Sequence, residues 1–286
     1  MKRWQLAVAL AGLQLGSGCI GGSKGPSAAS SSAAAAEEAP SSPDPNLLIF
    51  LLLGQSNMEG APAPEAEDRI GHPRVKVLAY DNCEALDRSY NHWYPATPPL
   101  HSCGGGVGPG DTFGKALADA LPNATIGLVP SAINGVDVDF FRKGIVSARR
   151  GEFEIAPDNH WSSAYDAVVE RARLAQRFGV IRGILFHQGE SDSGNAAWIG
   201  KVAELVANLR ADLQIEDAPF LAGELLHSGR CAGHNSLVNE LPNHVPNSLV
   251  VGASGLAGMD DYHFDLAGQR ALGRRYAETL LVRLPR

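Results

Sequence analysis

The chain of 286 residues has no excess of basic residues. It contains 24 Lys and Arg against 31 Asp and Glu, which gives a formal net charge of −7. Binding to a phosphate backbone needs a basic face, so we expect no nucleic-acid partner. The composition, 44% hydrophobic and 19% charged, is that of an ordinary globular protein. A chain of this length forms one large α/β domain or two small ones.

Motifs for metals and nucleotides are also missing. The four cysteines include no C-x-x-C pair, and the nine histidines include no H-E-x-x-H motif. The Gly-rich segment 104–110 is neither G-x-G-x-x-G nor a P-loop. We therefore expect no metal and no cofactor. The absence of G-x-S-x-G excludes an ordinary α/β-hydrolase.

Residues 1–18 have the pattern of a signal peptide. Lys2 and Arg3 precede an apolar run over 6–15, and three small residues follow before Cys19. The run is too short to span a bilayer as a stable helix. The alternative, a buried helix of the mature domain, is disfavoured because the polar segment that follows separates the run from any core.

The residues before Cys19 resemble a bacterial lipobox, although Gly16 stands where a larger aliphatic residue is usual. The resemblance implies that Cys19 is lipidated and becomes the mature N-terminus, so that a lipid anchor is the only membrane contact. We expect an exported cell-envelope lipoprotein, with periplasmic or secreted protein as the alternative. Residues 19–46 are rich in Ser, Ala, Gly and Pro, and are predicted to be a disordered tether.

An exported chain can form disulfides. Cys83 and Cys103 lie in one irregular region and are the expected pair, which leaves Cys231 as a free thiol.

From residue 47 onward, short apolar runs alternate with helical periodicity. Residues 47–53 are continuously apolar and end at Gly54, which is typical of a parallel strand covered on both faces. Similar runs follow at 75–80, 125–129, 181–186, 220–224 and 249–252. Apolar residues repeat at helical spacing over 111–121, 162–178, 197–213 and 266–281. The alternation predicts one domain over 47–286, a three-layer α/β/α sandwich with a central parallel sheet.

Polar residues follow four of the predicted strands, at 54–58, 131–135, 187–192 and 260–263. Ligands of open parallel sheets bind beyond the carboxyl ends of the strands, so we expect these segments to converge.

Ser56 and His263 are the candidate reacting groups in these segments. A hydroxyl becomes a good nucleophile when an imidazole takes its proton, and a carboxylate such as Asp260 fixes the tautomer of that imidazole. Two plainer interpretations remain open at this point. Ser56 also fits a helix N-cap, and Asp260 with His263 also fits a surface loop pair.

The segments together resemble the SGNH (GDSL-like) hydrolase superfamily. Within it they resemble the sialate O-acetylesterase-like domain that includes acetylxylan esterases of carbohydrate esterase family 6. Residues 54–58 (Gly-Gln-Ser-Asn-Met), 187–192 (His-Gln-Gly-Glu-Ser-Asp) and 260–264 (Asp-Asp-Tyr-His-Phe) match the first, third and last sequence blocks of that branch. The resemblance extends over about 47–277 and implies the flavodoxin-like SGNH fold.

The resemblance also implies roles for individual residues. Ser56 is expected to be the nucleophile, His263 its base, and Asp260 the acid that orients the base. The oxyanion hole is expected to consist of the backbone N–H groups of Ser56 and Gly135 and the side-chain amide of Gln188.

Three features of the blocks bear on these roles. Residues 134–136 read Asn-Gly-Val where the branch has Gly-Gly-Thr or Gly-Gly-Ser, so a hydroxyl is lost while the N–H remains. Glu190, in the third block, is the alternative to Asp260 as the acid, or a support for the site. Gln55 and Asn57 flank the nucleophile and are expected to support it.

The implied function is hydrolysis of acetyl esters on polysaccharide or sugar, of acetylxylan or sialate type, by a monomer. Two alternatives stand beside it. One is a non-catalytic carbohydrate-binding lipoprotein on an esterase scaffold, because a fold does not secure a function. The other is a serine esterase for other short acyl esters.

Overall fold

The computed structural model describes residues 39–155 and 162–283. The predicted signal peptide, Cys19 and most of the predicted tether lie outside the described residues. The strands are β1 Leu47–Gly54, β2 Val75–Leu78, β3 Trp93–Pro95, β4 Thr125–Pro130, β5 Val180–His187, β6 Phe220–Gly223 and β7 Ser248–Val251. The helices are α1 Ser56–Glu59, α2 Pro109–Ala120, α3 Ala164–Gln176, α4 Trp198–Leu213, α5 Asn235–His244 and α6 Leu266–Leu281.

The strands form one sheet in the order β3-β2-β4-β1-β5-β6-β7. All neighbouring pairs are parallel except β2 and β3, which pair antiparallel with Leu78 opposite Trp93. The three-layer α/β/α fold is therefore confirmed, and the prediction of a parallel sheet is corrected at this one edge. A three-residue strand inside a Pro-rich segment carries too short a pattern to be seen in the sequence.

The central position of β1 explains its unbroken apolar sequence. Side chains of a strand alternate between the two faces of the sheet. Ile49, Leu51 and Leu53 pack with α3 and α4 on one face, while Phe50 and Leu52 pack with α2 and α6 on the other. All five are fully buried, and burying such a side chain stabilises the fold by about 1.5–3 kcal/mol.

Four helices lie where the periodicity predicted them, with ends shifted by at most two residues. Helix α5 was not predicted, because Pro242 interrupts its sequence pattern. Its residues Val238 and Leu241 are nevertheless buried against the same cluster as α4. In the described parts of the chain, no helix is long and apolar enough to cross a membrane.

The last residues of the predicted tether belong to the domain. The N–H of Asp44 donates to the carbonyl of Phe178 at 2.8 Å, and the N–H of Thr125 donates to the carbonyl of Asn46 at 2.8 Å. Asp44 and Asn46, at the end of the predicted tether, are therefore hydrogen-bonded to the α/β domain.

A disulfide joins Cys83 and Cys103 in the structure. The remaining described cysteine, Cys231, is free and buried.

Candidate active site

The turn from β1 into α1 carries Ser56 at the carboxyl edge of the sheet. Gly54 has φ +136°, and a Cβ at this position would lie 2.0 Å from the carbonyl oxygen of His187. Only glycine fits this combination of backbone angle and close approach. The N–H of Gln55 donates to the same carbonyl at 3.0 Å, so β1 and β5 are held together where α1 begins.

The hydroxyl of Ser56 faces an imidazole from the far end of the chain. Ser56 Oγ lies 3.0 Å from His263 Nε2, and His263 Nδ1 lies 2.8 Å from Asp260 Oδ2. Ser56 is the first residue of α1, and Gln55 occupies the N-cap position. The hydroxyl thus contacts the imidazole and is not used as a helix cap.

Asp260 is held in its charged form by hydrogen bonds. Its Oδ1 accepts from the N–H groups of Tyr262 and His263, each at 2.7 Å. Burial raises the pKa of Asp260, but the bonds from His263 and these N–H groups outweigh it and lower the pKa to about 2. An ionised Asp260 favours the tautomer with the proton on His263 Nδ1. The lone pair of Nε2 then points to Ser56.

Glu190 contacts a different partner. Its Oε1 accepts from Asn57 Nδ2 at 2.6 Å and lies 3.8 Å from His187 Nδ1. Asp260, and not Glu190, is therefore the carboxylate hydrogen-bonded to His263.

Two backbone N–H groups in the segments that follow β1 and β4 are unpaired in the described structure. Within the described residues, the N–H groups of Ser56 and Gly135 have no acceptor in the protein. Gly135 adopts φ +74°, which suits glycine, and its carbonyl accepts from Ser191 Oγ at 2.9 Å and from Arg149 Nη1 at 2.9 Å. These contacts hold the peptide that links Gly135 to Val136, the next one along the chain from the peptide that carries the Gly135 N–H.

The Gln188 amide, the third predicted oxyanion donor, makes hydrogen bonds inside the protein. Its Nε2 donates to Asp192 Oδ2 at 2.6 Å, and it also lies 3.2 Å from Gln55 Oε1. Its Oε1 accepts from Trp198 Nε1 at 2.6 Å, which fixes the orientation of the amide. The side chain is 1% exposed and its donors have acceptors within the protein, and its role as an oxyanion donor stays a prediction.

Gln55 links the first and third blocks. Besides the contact with Gln188, the Oε1 of Gln55 accepts hydrogen bonds from the N–H groups of Gly189 at 3.4 Å and Ser191 at 3.2 Å. The expectation that Gln55 supports the site therefore has a structural basis in these contacts.

Sequence reasoning missed Glu59, one turn after Ser56. It is 9% exposed, and it accepts hydrogen bonds from Ser102 Oγ and from the N–H of Asn134. Burial raises the pKa of Glu59 despite these two bonds. Its position three residues after the nucleophile, on the same side of a helical turn, was the one available signal.

No group of three His, Cys, Asp or Glu side chains in the described ranges is placed to hold a metal ion.

Comparisons with known proteins agree on one kind of enzyme. A family model described as carbohydrate esterase, sialic acid-specific acetylesterase, matches residues 46–282. A probable carbohydrate esterase of Arabidopsis thaliana is 30% identical over 263 residues, which are 84% of this chain and 92% of that protein.

Solved structures give the same result for the fold. A crystal structure of an Arabidopsis thaliana protein superposes with a TM-score of 0.68 at 26% identity and covers 85% of this chain and 100% of its own. NanS superposes with a TM-score of 0.65 at 20% identity, with 84% and 98% covered. The resemblance stated from the sequence blocks is confirmed.

Proposed function

The chain belongs to the carbohydrate esterase family of sialic acid-specific acetylesterases, and from this premise we propose that it hydrolyses acetyl esters of carbohydrate through an acetyl-enzyme on Ser56. Membership makes it an acetylesterase and thus a carboxylic ester hydrolase. The observation that carries the mechanism is the 3.0 Å separation of Ser56 Oγ from His263 Nε2. The 2.8 Å contact of His263 Nδ1 with Asp260 Oδ2 completes the arrangement.

In the first step, Ser56 Oγ attacks the acetyl carbonyl carbon while its proton moves to His263 Nε2. The imidazolium that forms is stabilised by Asp260, whose pKa of about 2 keeps it ionised at neutral pH. The C–O bond to the sugar then breaks, and His263 gives its proton to the departing sugar oxygen. The products of this step are the free sugar hydroxyl and acetyl-Ser56.

The negative charge that develops on the carbonyl oxygen is stabilised by hydrogen bonds from the N–H groups of Ser56 and Gly135. Such preorganised donors act where the charge develops, and loss of one donor typically costs about 10²–10³ in kcat. In this proposal, Gln188 holds the surrounding loops through Asp192 and Gln55.

In the second step, water attacks acetyl-Ser56 while His263 Nε2 takes one of its protons. Collapse of the intermediate returns that proton to Ser56 Oγ and releases acetic acid, which gives its remaining proton to solvent and becomes acetate.

The test is the Ser56→Ala variant on a substrate panel. We expect kcat for p-nitrophenyl acetate to fall by a factor on the order of 10⁴ or more, without loss of the folded state. Ser236→Ala is the matched control, since Ser236 is exposed on α5 and its hydroxyl donates only to the carbonyl of Gly233. Unchanged activity in Ser56→Ala would disprove the mechanism.

The panel then tests the substrate class. Acetylated xylan, O-acetylated sialic acid and p-nitrophenyl esters of increasing chain length are compared at equal enzyme concentration. We expect acetyl esters to be preferred. A preference for long acyl chains would contradict the acetylesterase proposal, and sugar binding without turnover would indicate a binding module.

We further propose that the enzyme works outside the cytoplasm and carries a lipid on Cys19. The disulfide between Cys83 and Cys103 supports an oxidising compartment. Metabolic labelling with a fatty acid, compared between the wild-type chain and Cys19→Ala, tests the anchor. Equal labelling of the two would contradict it.

A further inference from the structure

The pairing of β1 with β4 continues into the segment that follows β4. Its last hydrogen bond runs from the N–H of Ile133 to the carbonyl of Gly54, at 3.0 Å. The two N–H groups without an acceptor in the described structure each come two residues later, Ser56 after Gly54 and Gly135 after Ile133. Both groups therefore leave the sheet edge from the same pair of bonded residues.

Glu59 holds the peptide that comes just before the Gly135 N–H. Its carboxylate accepts a hydrogen bond from the N–H of Asn134. On the other side, Ser191 Oγ and Arg149 Nη1 each donate to the carbonyl of Gly135 at 2.9 Å. The peptide that carries the Gly135 N–H thus lies between two peptides that are each hydrogen-bonded to another part of the fold.

Glu59 also belongs to the helix of the nucleophile. Helix α1 is one turn, Ser56–Glu59, and the N–H of Gly60 donates to the carbonyl of Ser56 at 2.8 Å. A Cβ added to Gly60 would lie 2.6 Å from the carbonyl oxygen of Gly106, so the end of this turn is tightly packed. The distance from Ser56 to the Gly135 N–H is therefore spanned by one helical turn, one side chain and one hydrogen bond.

Ser102 fixes the direction of the Glu59 carboxylate. Ser102 Oγ donates to Glu59 Oε1. The next residue, Cys103, is joined to Cys83 by the disulfide, and its N–H donates to Asp81 Oδ2 at 3.0 Å. A buried carboxylate is stable only with such partners, and here the partner is anchored independently of α1.

We propose that Glu59 is a positioning residue for the oxyanion hole, and that it holds the Gly135 N–H at the place where the carbonyl oxygen of an ester attacked by Ser56 becomes negative. The inference rests on the proposed function, because it takes the N–H groups of Ser56 and Gly135 as the oxyanion donors. Such donors act through preorganisation, so a displaced donor costs rate even when the nucleophile and its base are intact.

The experiment compares two esters that differ in one atom. These are p-nitrophenyl acetate, which reacts at a C=O group, and O-p-nitrophenyl thionoacetate, which reacts at C=S. Sulfur is a weak hydrogen-bond acceptor, so oxyanion donors stabilise the transition state of the oxygen ester far more. Damage to Ser56 or His263 lowers both rates, whereas displacement of an oxyanion donor lowers the rate of the oxygen ester selectively. The ratio of the two kcat/KM values, oxygen ester over thiono ester, is the readout.

We expect Glu59→Ala to lower kcat/KM for the oxygen ester about 10- to 100-fold, and for the thiono ester by less than about threefold. Glu59→Gln keeps an oxygen that can accept from the Asn134 N–H, and should hold the ratio within about threefold of the wild-type value. A ratio in Glu59→Gln as low as in Glu59→Ala would overturn the assignment, since the acceptor oxygen would then not be what places Gly135.

Glu224→Ala is the matched control. Glu224 and Glu59 are both 9% exposed, and Glu224 also accepts from a backbone N–H, that of Ala253, at 2.9 Å. Its other partners are the side chains of Asn239 and His227, each at 2.8 Å, outside the segment of Gly135. We expect this variant to lose stability as Glu59→Ala does, and to leave the ratio unchanged.

Ser102→Ala keeps the test decisive if Glu59→Ala does not fold. It removes the bond that orients Glu59 and should lower the ratio about threefold or more. An unchanged ratio in Ser102→Ala would then overturn the assignment.

The outcomes separate this inference from the proposed function. Equal falls for the two esters in Glu59→Ala, or no fall in either, would overturn the positioning role. So would a change of the ratio in Glu224→Ala as large as that in Glu59→Ala. In these cases the proposed function stands as long as Ser56→Ala is inactive. If the wild-type protein hydrolyses neither ester, the proposed function fails, and the role of Glu59 fails with it.

Discussion

Asn57 holds the backbone on both sides of His263 without contacting the imidazole. Its Nδ2 donates to the carbonyl of Tyr262 at 2.9 Å, and its Oδ1 accepts from the N–H of Phe264 at 3.1 Å. Asn57 directly follows Ser56 in α1 and is fully buried. The distance between nucleophile and base is therefore set by a residue that belongs to the turn of the nucleophile itself.

We predict that Asn57→Ala lowers kcat for p-nitrophenyl acetate about 100-fold, since a displacement of about 1 Å at a reacting group has effects of this size. The substitution also removes hydrogen bonds from Glu190, from the carbonyl of Tyr262, and from the fully buried residues Phe264 and Gln269. Each unpaired buried group costs about 1–3 kcal/mol, so the free energy of unfolding should fall as well. Steady-state kinetics and urea denaturation measure the two effects.

Asn235→Ala is the matched control for this prediction. Asn235 is also buried, and its side chain bonds the N–H of Leu225 at 2.7 Å and the carbonyl of the same residue at 3.0 Å. We expect a similar loss of stability with kcat changed less than about threefold, as for a substitution that acts through stability alone. An equal fall of kcat in both variants would show that Asn57 has no special part in placing the base.

Gln188→Ala tests whether the amide is a structural link or an oxyanion donor. The substitution removes the hydrogen bonds to Asp192 and Trp198, both at 2.6 Å, inside the protein. We predict a lower free energy of unfolding, by about 1–3 kcal/mol, and a fall in kcat below the 10²–10³ typical of a lost oxyanion donor. A folded variant with kcat reduced more than 100-fold would instead mean that the amide turns toward the substrate during the reaction.

The sequence alone predicted the layers and the edge of the sheet at which the site lies. The unbroken apolar run of β1 can be buried on both faces only at the centre of a parallel sheet. Because parallel strands end at a common edge, Ser56 and His263 were expected to meet although 207 residues separate them. The helical periodicity of α2, α3, α4 and α6 gave their bounds to within two residues.

The sequence could not predict what depends on packing between remote segments. In the sequence, Glu59 cannot be distinguished from any other polar residue at the end of a helix. It is buried because the fold brings Ser102 and Asn134 against it. The use of the Gln188 donors likewise depends on Asp192 and Trp198. A motif gives the chemical groups of a site, whereas their free hydrogen-bonding capacity is decided by tertiary neighbours.

Asp260→Asn and Glu190→Gln together identify the carboxylate that orients the base. Of these two carboxylates, Asp260 is hydrogen-bonded to His263, whereas Glu190 accepts from Asn57. We predict that Asp260→Asn lowers kcat by about 10³–10⁴, because an amide facing Nδ1 stabilises the wrong tautomer. Glu190→Gln should cost less than about 100-fold, measured with p-nitrophenyl acetate at fixed pH. The reverse ranking would assign the acid to Glu190.

Asp111, in the first turn of α2, makes stability depend on pH. Its side chain is 2% exposed, Oδ2 lies 2.8 Å from Lys115 Nζ, and Oδ1 has no partner in the described structure. Burial outweighs the bond from Lys115 and raises the pKa of Asp111 to about 6.

The direction of the effect follows from proton binding. Between the unfolded pKa of about 3.9 and the folded pKa of about 6, the folded state holds a proton on Asp111 that the unfolded state has lost. This site therefore favours folding at low pH, and its contribution is lost as the pH rises through about 6. Relative to Asp111→Asn, the wild-type protein should lose about 2 kcal/mol of unfolding free energy between pH 4 and pH 7.

Urea denaturation of both proteins at several pH values measures this difference. Titration elsewhere in the protein cancels in the comparison, because it is common to both chains. Asp87→Asn, at an exposed position with a left-handed backbone that Asn also adopts, is the control, and the pH dependence seen relative to Asp111→Asn should be absent relative to it. A wild-type protein that gains stability over Asp111→Asn as the pH rises would mean that the bond with Lys115 outweighs burial. The carboxylate would then be ionised in the folded protein below pH 4.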